Sequence, residues 1–179
     1  MLKKVHLLVC RIRLFVLKAI HNNSIITTVG FSNISEKTSI EVGKHSVFFM
    51  GRGLHTRAGV VLSVRDNASL IIGNGVFINR NTIITSRYSI TIEDEVTIGP
   101  NVCIYDHNHN ICGCLSSGGG YVLDSVVIKK NAWIGAGTII LKGVTIGVNA
   151  VVAAGSVVTK DIPDNSILIQ KRQSVYKAI

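Results

Sequence analysis

The sequence predicts an all-β chain that winds into a parallel β-helix of short, stacked coils. Three observations support this prediction: an aliphatic residue recurs at every sixth position, β-branched residues are abundant, and glycines are spread along the chain. Apolar residues make up 47% of the sequence but aromatic residues only 6%, so the core must consist mainly of Val, Ile, Leu and Ala. This composition favours short strands joined by tight turns.

The six-residue period is clearest in the C-terminal part of the chain. From residue 128 the sequence divides into the blocks IKKNAW, IGAGTI, ILKGVT, IGVNAV, VAAGSV and VTKDIP. Each block begins with Ile or Val, a spacing that matches neither an α-helix nor an alternating strand. If each block is one strand and one turn, three blocks close a triangular coil, and the aliphatic residues of successive coils stack in a narrow core.

The same phase continues upstream with interruptions. The residues that lead the earlier blocks are Ile72, Ile78, Ile84, Ile92, Ile98 and Ile104. The step of eight from Ile84 to Ile92 predicts a corner with two extra residues. Before about residue 70 the period is fragmentary, as terminal repeats often are. We therefore expect a β-helix domain over 31–165 and a C-terminal tail over 166–179.

The period is lost after Ile104, in the stretch YDHNHNICGCLSSGGGYVLDS. This stretch cannot stack as coils, so we expect a loop over 105–122 that leaves the solenoid. Excursions from a rigid scaffold commonly carry function. The three consecutive glycines at 118–120 predict a mobile tip.

The N-terminal segment, 1–30, is expected to be an amphipathic helix and a linker. Its apolar run is broken by Arg11 and Arg13, so it fits neither a signal peptide nor a membrane span. The apolar residues predicted along one broad side are Val5, Leu8, Val9, Ile12, Val16 and Ile20. Two interpretations stay open: a helix that caps the core, and a basic helix (residues 1–20) that rests on the inner face of an anionic membrane.

The formal charge of +9 favours an anionic partner. Nucleic acid is not expected, because no basic patch with interleaved aromatic residues and no helix-turn-helix pattern is visible. The four cysteines are Cys10, Cys103, Cys112 and Cys114. They do not resemble a disulfide framework in a chain of this length, so reduced thiols in a cytoplasmic protein are expected.

Three interpretations compete for the sequence DHNH at 106–109. The histidines could be polar loop residues satisfied by the backbone. They could join Cys112 and Cys114 in a zinc site, although the H-x-H and C-x-C pairs lie too close for a usual zinc spacing, so no metal is expected. One of them could be a general base, since a histidine accepts a proton readily near pH 7.

The stretch IGPNVCIYDHNH resembles the galactoside, maltose and polysaccharide O-acetyltransferases, which are left-handed β-helix acyltransferases of the hexapeptide-repeat family. The resemblance covers roughly residues 34–164. In that group a histidine lies seven residues after the valine of a G/A-P-N-V segment, and counting from Val102 gives His109. The resemblance implies that His109 is the catalytic base, that Asn79 in FINRN orients the acceptor or the base, and that Trp133 contacts the acceptor or the thioester. Asp106 and His107 remain candidates, since the more distant serine acetyltransferases use an Asp–His pair.

The same resemblance implies acetyl-coenzyme A as the acyl donor. The residues it places beside the coenzyme are Ala136, whose N–H would hold the oxyanion, Ala153 and Ala154 along the pantetheine arm, and Thr159 and Lys160 near the phosphates. The relatives usually continue into a G-x-P-A-[KR] turn, whereas this chain reads SILIQKRQSVYKAI. Arg172 or Lys171 is therefore only a provisional partner of the 3′-phosphate.

The expected function is direct transfer of acetyl to a hydroxyl of a sugar or surface-polysaccharide precursor, without an acyl-enzyme. A homotrimer with active sites between neighbouring prisms is implied by the family. The alternatives are a serine O-acetyltransferase, an N-acyltransferase of amino sugars, a metal enzyme like the γ-carbonic anhydrases, and a non-catalytic scaffold. The metal enzyme needs three zinc histidines, and the sequence offers no convincing third ligand.

Overall fold

The computed structural model describes residues 2–21, 23–110, 120–171 and 177. The helix α1 spans Leu2–Ile20 and is followed by a long series of short strands. The strands are β1 (Ile25–Thr28), β2 (Asn33–Ile34), β3 (Ser39–Val42), β4 (Val47–Met50), β5 (His55–Thr56), β6 (Val61–Val64), β7 (Ser69–Ile72), β8 (Phe77–Ile78), β9 (Ile83–Ser86), β10 (Ser89–Ile92), β11 (Thr97–Ile98), β12 (Cys103–Tyr105), β13 (His107–His109), β14 (Tyr121–Leu123), β15 (Val126–Ile128), β16 (Trp133–Ile134), β17 (Ile139–Ile140), β18 (Thr145–Ile146), β19 (Val151–Val152), β20 (Val157–Val158) and β21 (Ile167–Leu168).

The strands form the three faces of a prism. Face A has the order β1-β4-β7-β10-β15-β18, face B the order β2-β5-β8-β11-β16-β19-β21, and face C the order β3-β6-β9-β12-β17-β20. All neighbours within a face are parallel, and successive coils contribute one strand to each face. The predicted parallel β-helix is confirmed.

Stacked aliphatic side chains fill the centre of the prism. On face A, Phe48, Leu70, Ile90 and Val126 lie opposite one another in successive coils, and each is fully buried. The residues that lead the six-residue blocks from Ile72 onward are also buried in the centre of the prism. Burying one such side chain contributes about 1.5–3 kcal/mol relative to exposure, so the continuous stack is the main source of stability.

The coils change size along the chain. Phe48 pairs with Leu70, a coil of 22 residues, whereas Ile128 pairs with Ile146, a coil of 18 residues. The larger coils contain strands of four residues on faces A and C, which explains why the hexad pattern is fragmentary there although the stacking is regular. The step of eight after Ile84 is a corner at Arg87 and Tyr88, as predicted.

The paired strands extend beyond the domain boundaries expected from the sequence. β1 begins at Ile25, within the segment assigned to the helix and linker, and pairs in register with β4. β21 ends at Leu168, within the segment assigned to the tail, and pairs with β19. Each strand contributes one aliphatic side chain to the core, Ile26 from β1 and Leu168 from β21, but neither continues an uninterrupted six-residue period, so the hexad pattern missed both.

Helix α1 covers the open end of the first coil. The Cys10 thiol donates to the carbonyl of Ile34 at 3.0 Å, and the Arg13 guanidinium donates to the carbonyls of Ser35, Glu36 and Thr38. One side of the helix therefore packs on the first coil. In the part of the chain that the structure describes, no helix is long and apolar enough to cross a membrane.

Candidate active site

A β-hairpin leaves the prism at the edge between faces C and A. Face C ends at β12, the chain then runs outward as β13, and it returns as β14 before it joins face A as β15. His107 lies opposite Leu123 and His109 opposite Tyr121 in an antiparallel pair. The expected loop is thus a hairpin at its base. Its tip at 111–119, which contains Cys112 and Cys114, lies outside the described residues.

The carboxylate of Asp106 anchors the base of this hairpin. It is fully buried and accepts hydrogen bonds from Ser86 Oγ at 2.7 Å, from the Arg87 N–H at 2.8 Å and from the Tyr88 N–H at 2.8 Å. Arg87 and Tyr88 are the two extra residues of the corner, and no neighbouring strand that the structure describes accepts hydrogen bonds from their amides. A buried carboxylate from the next coil satisfies them, as buried donors require.

Asp106 also orients His107. The two side chains meet at 3.0 Å between Oδ1 and Nδ1, and the His107 side chain is only 12% exposed. Because a carboxylate only accepts hydrogen bonds, Nδ1 carries the proton and Nε2 is left as the basic atom. The rings of Tyr105 and Tyr121 contact His107 edge-on at centroid distances of 5.8 and 5.4 Å. His107 is therefore a packed and oriented imidazole.

His109 lies farther out on the hairpin and is exposed to solvent. Its ring contacts Tyr121 at a centroid distance of 4.9 Å, and the guanidinium of Arg87 lies 3.8 Å from the centroid of the same tyrosine. Such cation–π and ring contacts favour one arrangement of the three side chains. Tyr121 thus links His109 to the corner that Asp106 holds.

Asn79 lies at the edge between faces B and C, directly after β8. Its side-chain Oδ1 accepts a hydrogen bond from the Arg80 N–H at 2.8 Å, and its own N–H donates to the Ile98 carbonyl. Asn79 does not have the left-handed backbone conformation; the left-handed residue of this corner is Asn81, with φ of 57°.

Small residues stack above Asn79 along the same edge. Backbone hydrogen bonds place Gly99, Gly135 and Ala153 one above another in the next three coils. A side chain at Gly135 would lie 2.5 Å from the Ala154 nitrogen, so close stacking requires glycine there. A side chain at Gly137 would meet nothing within 4 Å. The result is a smooth strip of backbone and methyl groups along the edge between faces B and C.

The remaining predicted residues lie in three places. Trp133 projects from face B between Thr97 and Val151 and is 55% exposed. Ala136 and Ala154 are exposed on the strip of small residues, while Thr159 and Lys160 are exposed after β20, at the edge between faces C and A. Arg172 lies outside the described residues.

One chain does not bring the predicted residues together. His109, His107 and Asp106 share the edge between faces C and A with Thr159 and Lys160. Asn79, Ala136, Ala153 and Ala154 share the edge between faces B and C, on the other side of face C. In a three-sided prism, the edge between faces C and A is opposite face B, where Trp133 lies.

Sequence reasoning missed the residues that hold the hairpin. The step of eight at Ile84 was a usable signal for Arg87 and Tyr88, because extra corner residues need a hydrogen-bond acceptor. No sequence pattern indicated a role for Tyr121, because its contact with His109 depends on the antiparallel pairing of β13 with β14. As for metals, the described residues contain no group of three or more His, Cys, Asp or Glu placed to hold an ion.

Comparison with known proteins agrees with this architecture. Residues 125–160 match the family model for the bacterial transferase hexapeptide of six repeats. This match covers the C-terminal coils of the prism, from β15 to β20. The predicted resemblance is confirmed by a galactoside O-acetyltransferase of Lactococcus lactis subsp. lactis, 42% identical over 53% of this chain and 46% of that protein. The chain thus spans about half the length of the curated relatives it matches.

Two solved structures are also similar. A hexapeptide-repeat acetyltransferase of Vibrio cholerae O1 biovar eltor, complexed with acetyl-coenzyme A, is 30% identical, with a TM-score of 0.51 over 73% of this chain and 64% of that one. The N-acyltransferase AntD of Bacillus cereus, in complex with dTDP and 3-hydroxybutyryl-CoA, has a TM-score of 0.70 over 84% of this chain and 80% of that one. At 23% identity, AntD supports the fold alone.

The Asp106 anchor leads to a stability prediction. The Asp106→Asn variant replaces an acceptor oxygen by an NH2 group that faces other donors, so we expect the free energy of unfolding to fall by about 2–4 kcal/mol. Chemical denaturation measures the loss. Asp66→Asn is the matched control, because Asp66 accepts one exposed amide, that of Lys44, at a corresponding corner. We expect it to cost no more than about 1 kcal/mol. Equal losses would contradict the anchor.

Proposed function

We propose that the protein transfers an acetyl group from acetyl-coenzyme A to a hydroxyl of a sugar or surface-polysaccharide precursor. The observation that carries the proposal is the anchored hairpin that presents His109 to solvent beside a hexapeptide-repeat scaffold. The match to galactoside O-acetyltransferases supports the reaction, and the seven-residue spacing from Val102 supports His109 as the base. The surface-polysaccharide acceptor comes from the resemblance of the DHNH sequence.

In the proposed reaction, His109 accepts the proton of the acceptor hydroxyl while that oxygen attacks the thioester carbonyl carbon. The new C–O bond forms, the C–S bond then breaks, and the thiolate takes the proton back from His109 to leave as free coenzyme A. No acyl-enzyme is formed, so Cys103 is not required as a nucleophile.

The N–H of Ala136 is the proposed donor to the tetrahedral oxyanion. In the described part of the chain, the neighbouring amides of Gly135 and Gly137 donate to the carbonyls of Val152 and Pro100, whereas no such partner is present for the Ala136 N–H. Ala136 is exposed on the strip of small residues. A donor that is unpaired and accessible is available for a developing negative charge.

The strip of small residues is the proposed path of the pantetheine arm. Ala153 and Ala154 leave room beside the backbone, and Thr159 and Lys160 supply a hydroxyl and a cation for the phosphates. Arg172 stays the proposed partner of the 3′-phosphate. Asn79 would orient the acceptor or the base from the same edge, and Trp133 would pack against the acceptor or the thioester.

We infer that a second copy of the chain completes this site, most simply in a homotrimer. The base and the residues Asn79, Ala136 and Trp133 occupy separate edges and faces of one prism. Rotational packing of identical prisms would place the hairpin of one copy beside face B of the next. The separation of the two groups within one chain supports this arrangement.

The Asp106–His107 pair favours a second candidate function, a serine O-acetyltransferase. A buried carboxylate that fixes an imidazole tautomer is a common arrangement for a general base. In that case His107, rather than His109, would remove the hydroxyl proton. The two assignments differ in acceptor and in base, and both can be measured.

The first prediction of the proposal concerns the two histidines. We expect sugar-stimulated release of coenzyme A from acetyl-coenzyme A, and a loss of about a hundredfold or more in kcat for His109→Ala. Acetyl-coenzyme A binding, measured by calorimetry, should stay unchanged in this variant. His107→Ala is the matched control and should lose about tenfold or less, since it perturbs the hairpin without removing the base.

The acceptor panel should contain neutral sugars, amino sugars and serine. Loss of turnover with His107→Ala alone, together with serine as acceptor, would favour the second candidate. Turnover with amino sugars only would indicate N-acylation. Absence of both turnover and acetyl-coenzyme A binding would overturn the transferase proposal.

The shared site makes a separate prediction. His109→Ala and Trp133→Ala chains, each nearly inactive alone, should regain activity when co-expressed. Mixed trimers are isolated with two affinity tags. In each of them one site of three would combine an intact His109 with an intact Trp133 from the neighbour, so about one third of the wild-type rate is expected. No recovery in such oligomers would place both residues in a site of one chain.

A further inference from the structure

The N-terminal part of the chain is basic and contains no acidic residue. Residues 1–35 contain Lys3, Lys4, Arg11, Arg13 and Lys18, and the first carboxylate of the chain is Glu36. All five residues belong to α1, which spans Leu2–Ile20. A cluster of one sign and of this density favours a negatively charged partner.

The orientation of α1 on the prism is fixed by contacts on one side. Cys10 is buried, Leu14 and Leu17 pack against the core, and Arg13 donates to the backbone of the first coil. These residues follow the spacing of one helical face. Which side of the helix faces solvent is therefore set by the fold.

Described residues of the apolar side predicted from the sequence face solvent. Ile12, Val16 and Ile20 are exposed, as is Phe15, which is 73% exposed. The reason is that Cys10, Leu14 and Leu17 already fill the contact with the first coil. The helix thus carries two apolar stripes, and only one of them is covered by the chain itself.

The exposed stripe continues onto the first coil. Phe31 is 63% exposed and flanks, together with Phe15, an open cleft of about 430 Å³ between α1 and the β1–β2 connection. Lys18 lines the same cleft and donates to the Thr28 hydroxyl. We call Ile12, Phe15, Val16, Ile20 and Phe31 the N-terminal surface. These side chains are large, apolar and exposed, and the helix that carries most of them contains five cationic residues and no acidic one.

We propose that the N-terminal surface docks on an anionic lipid bilayer. The apolar side chains would enter the boundary between headgroups and acyl chains, and Lys18, which lines the cleft beside Phe15 and Phe31, would lie near the lipid phosphates. A second copy of the chain fits this surface less well. A symmetric contact would bring together two segments that are basic and contain no acidic residue, and their charges would repel each other. The proposal is independent of the transferase activity, since no residue of the hairpin takes part.

Vesicle co-sedimentation of the full chain tests the proposal. We expect binding to phosphatidylcholine vesicles that contain about one-third phosphatidylglycerol, and little binding to phosphatidylcholine alone. Raising the salt concentration to about 1 M should weaken binding severalfold, because the Debye length falls. The double variant Phe15→Ser, Phe31→Ser should reduce the partition coefficient about tenfold or more.

The control is the double variant Ile167→Ser, Ile169→Ser. These two residues are 65% and 68% exposed, but they lie at the far end of the prism. This control variant should bind vesicles as the wild type does. Equal binding of the wild type to neutral and anionic vesicles, or an unchanged partition coefficient in the Phe15/Phe31 variant, would overturn the proposal. A smaller oligomer in that variant, without lipid binding by the wild type, would show instead that a second copy covers the surface.

Discussion

The buried carboxylate of Asp106 is the contact on which the functional part of this protein depends. The solenoid is interrupted between β12 and β15, so that Ile92 and Ile128 are partners in adjacent coils although many residues separate them. Asp106 closes the interruption, because it accepts the free amides of the corner at Arg87 and Tyr88 in the coil before it. It also sets the proton position of His107. A single side chain therefore joins the stacking of the coils to the orientation of the hairpin.

Aromatic contacts also hold the side chains of the hairpin in place outside the prism. Tyr121 lies between the guanidinium of Arg87 and the rings of His107 and His109, so an exposed imidazole is held by an element that leaves the prism. The strip of small residues at the opposite edge of face C is smooth for a different reason: the coils there stack too closely for side chains at Gly99 and Gly135. We infer that the two edges cooperate between copies of the chain, with one edge supplying the base and the other supplying the path of the coenzyme.

The sequence predicts the parts of this molecule that depend on local repetition. The buried position of Ile128, the extra residues at the corner after Ile84 and the excursion after Ile104 all follow from the six-residue period. The period does not report the hydrogen bonds between coils, so it missed β1 and β21. It also left the outer side of α1 open, since a helix with two apolar stripes gives no indication of which stripe is covered. The contact between Tyr121 and His109 arises only from the antiparallel register.

The central claim is that His109 acts at a thioester held along the edge of a neighbouring chain. A crystal structure of the full chain with bound coenzyme A tests it most directly. The account predicts that the thiol sulfur lies within hydrogen-bond reach of a His109 nitrogen, directly or through one water, and that the pantetheine arm follows Ala153 and Ala154 of a neighbouring copy. A sulfur beside His107, or a coenzyme held entirely by one chain away from both histidines, would contradict it.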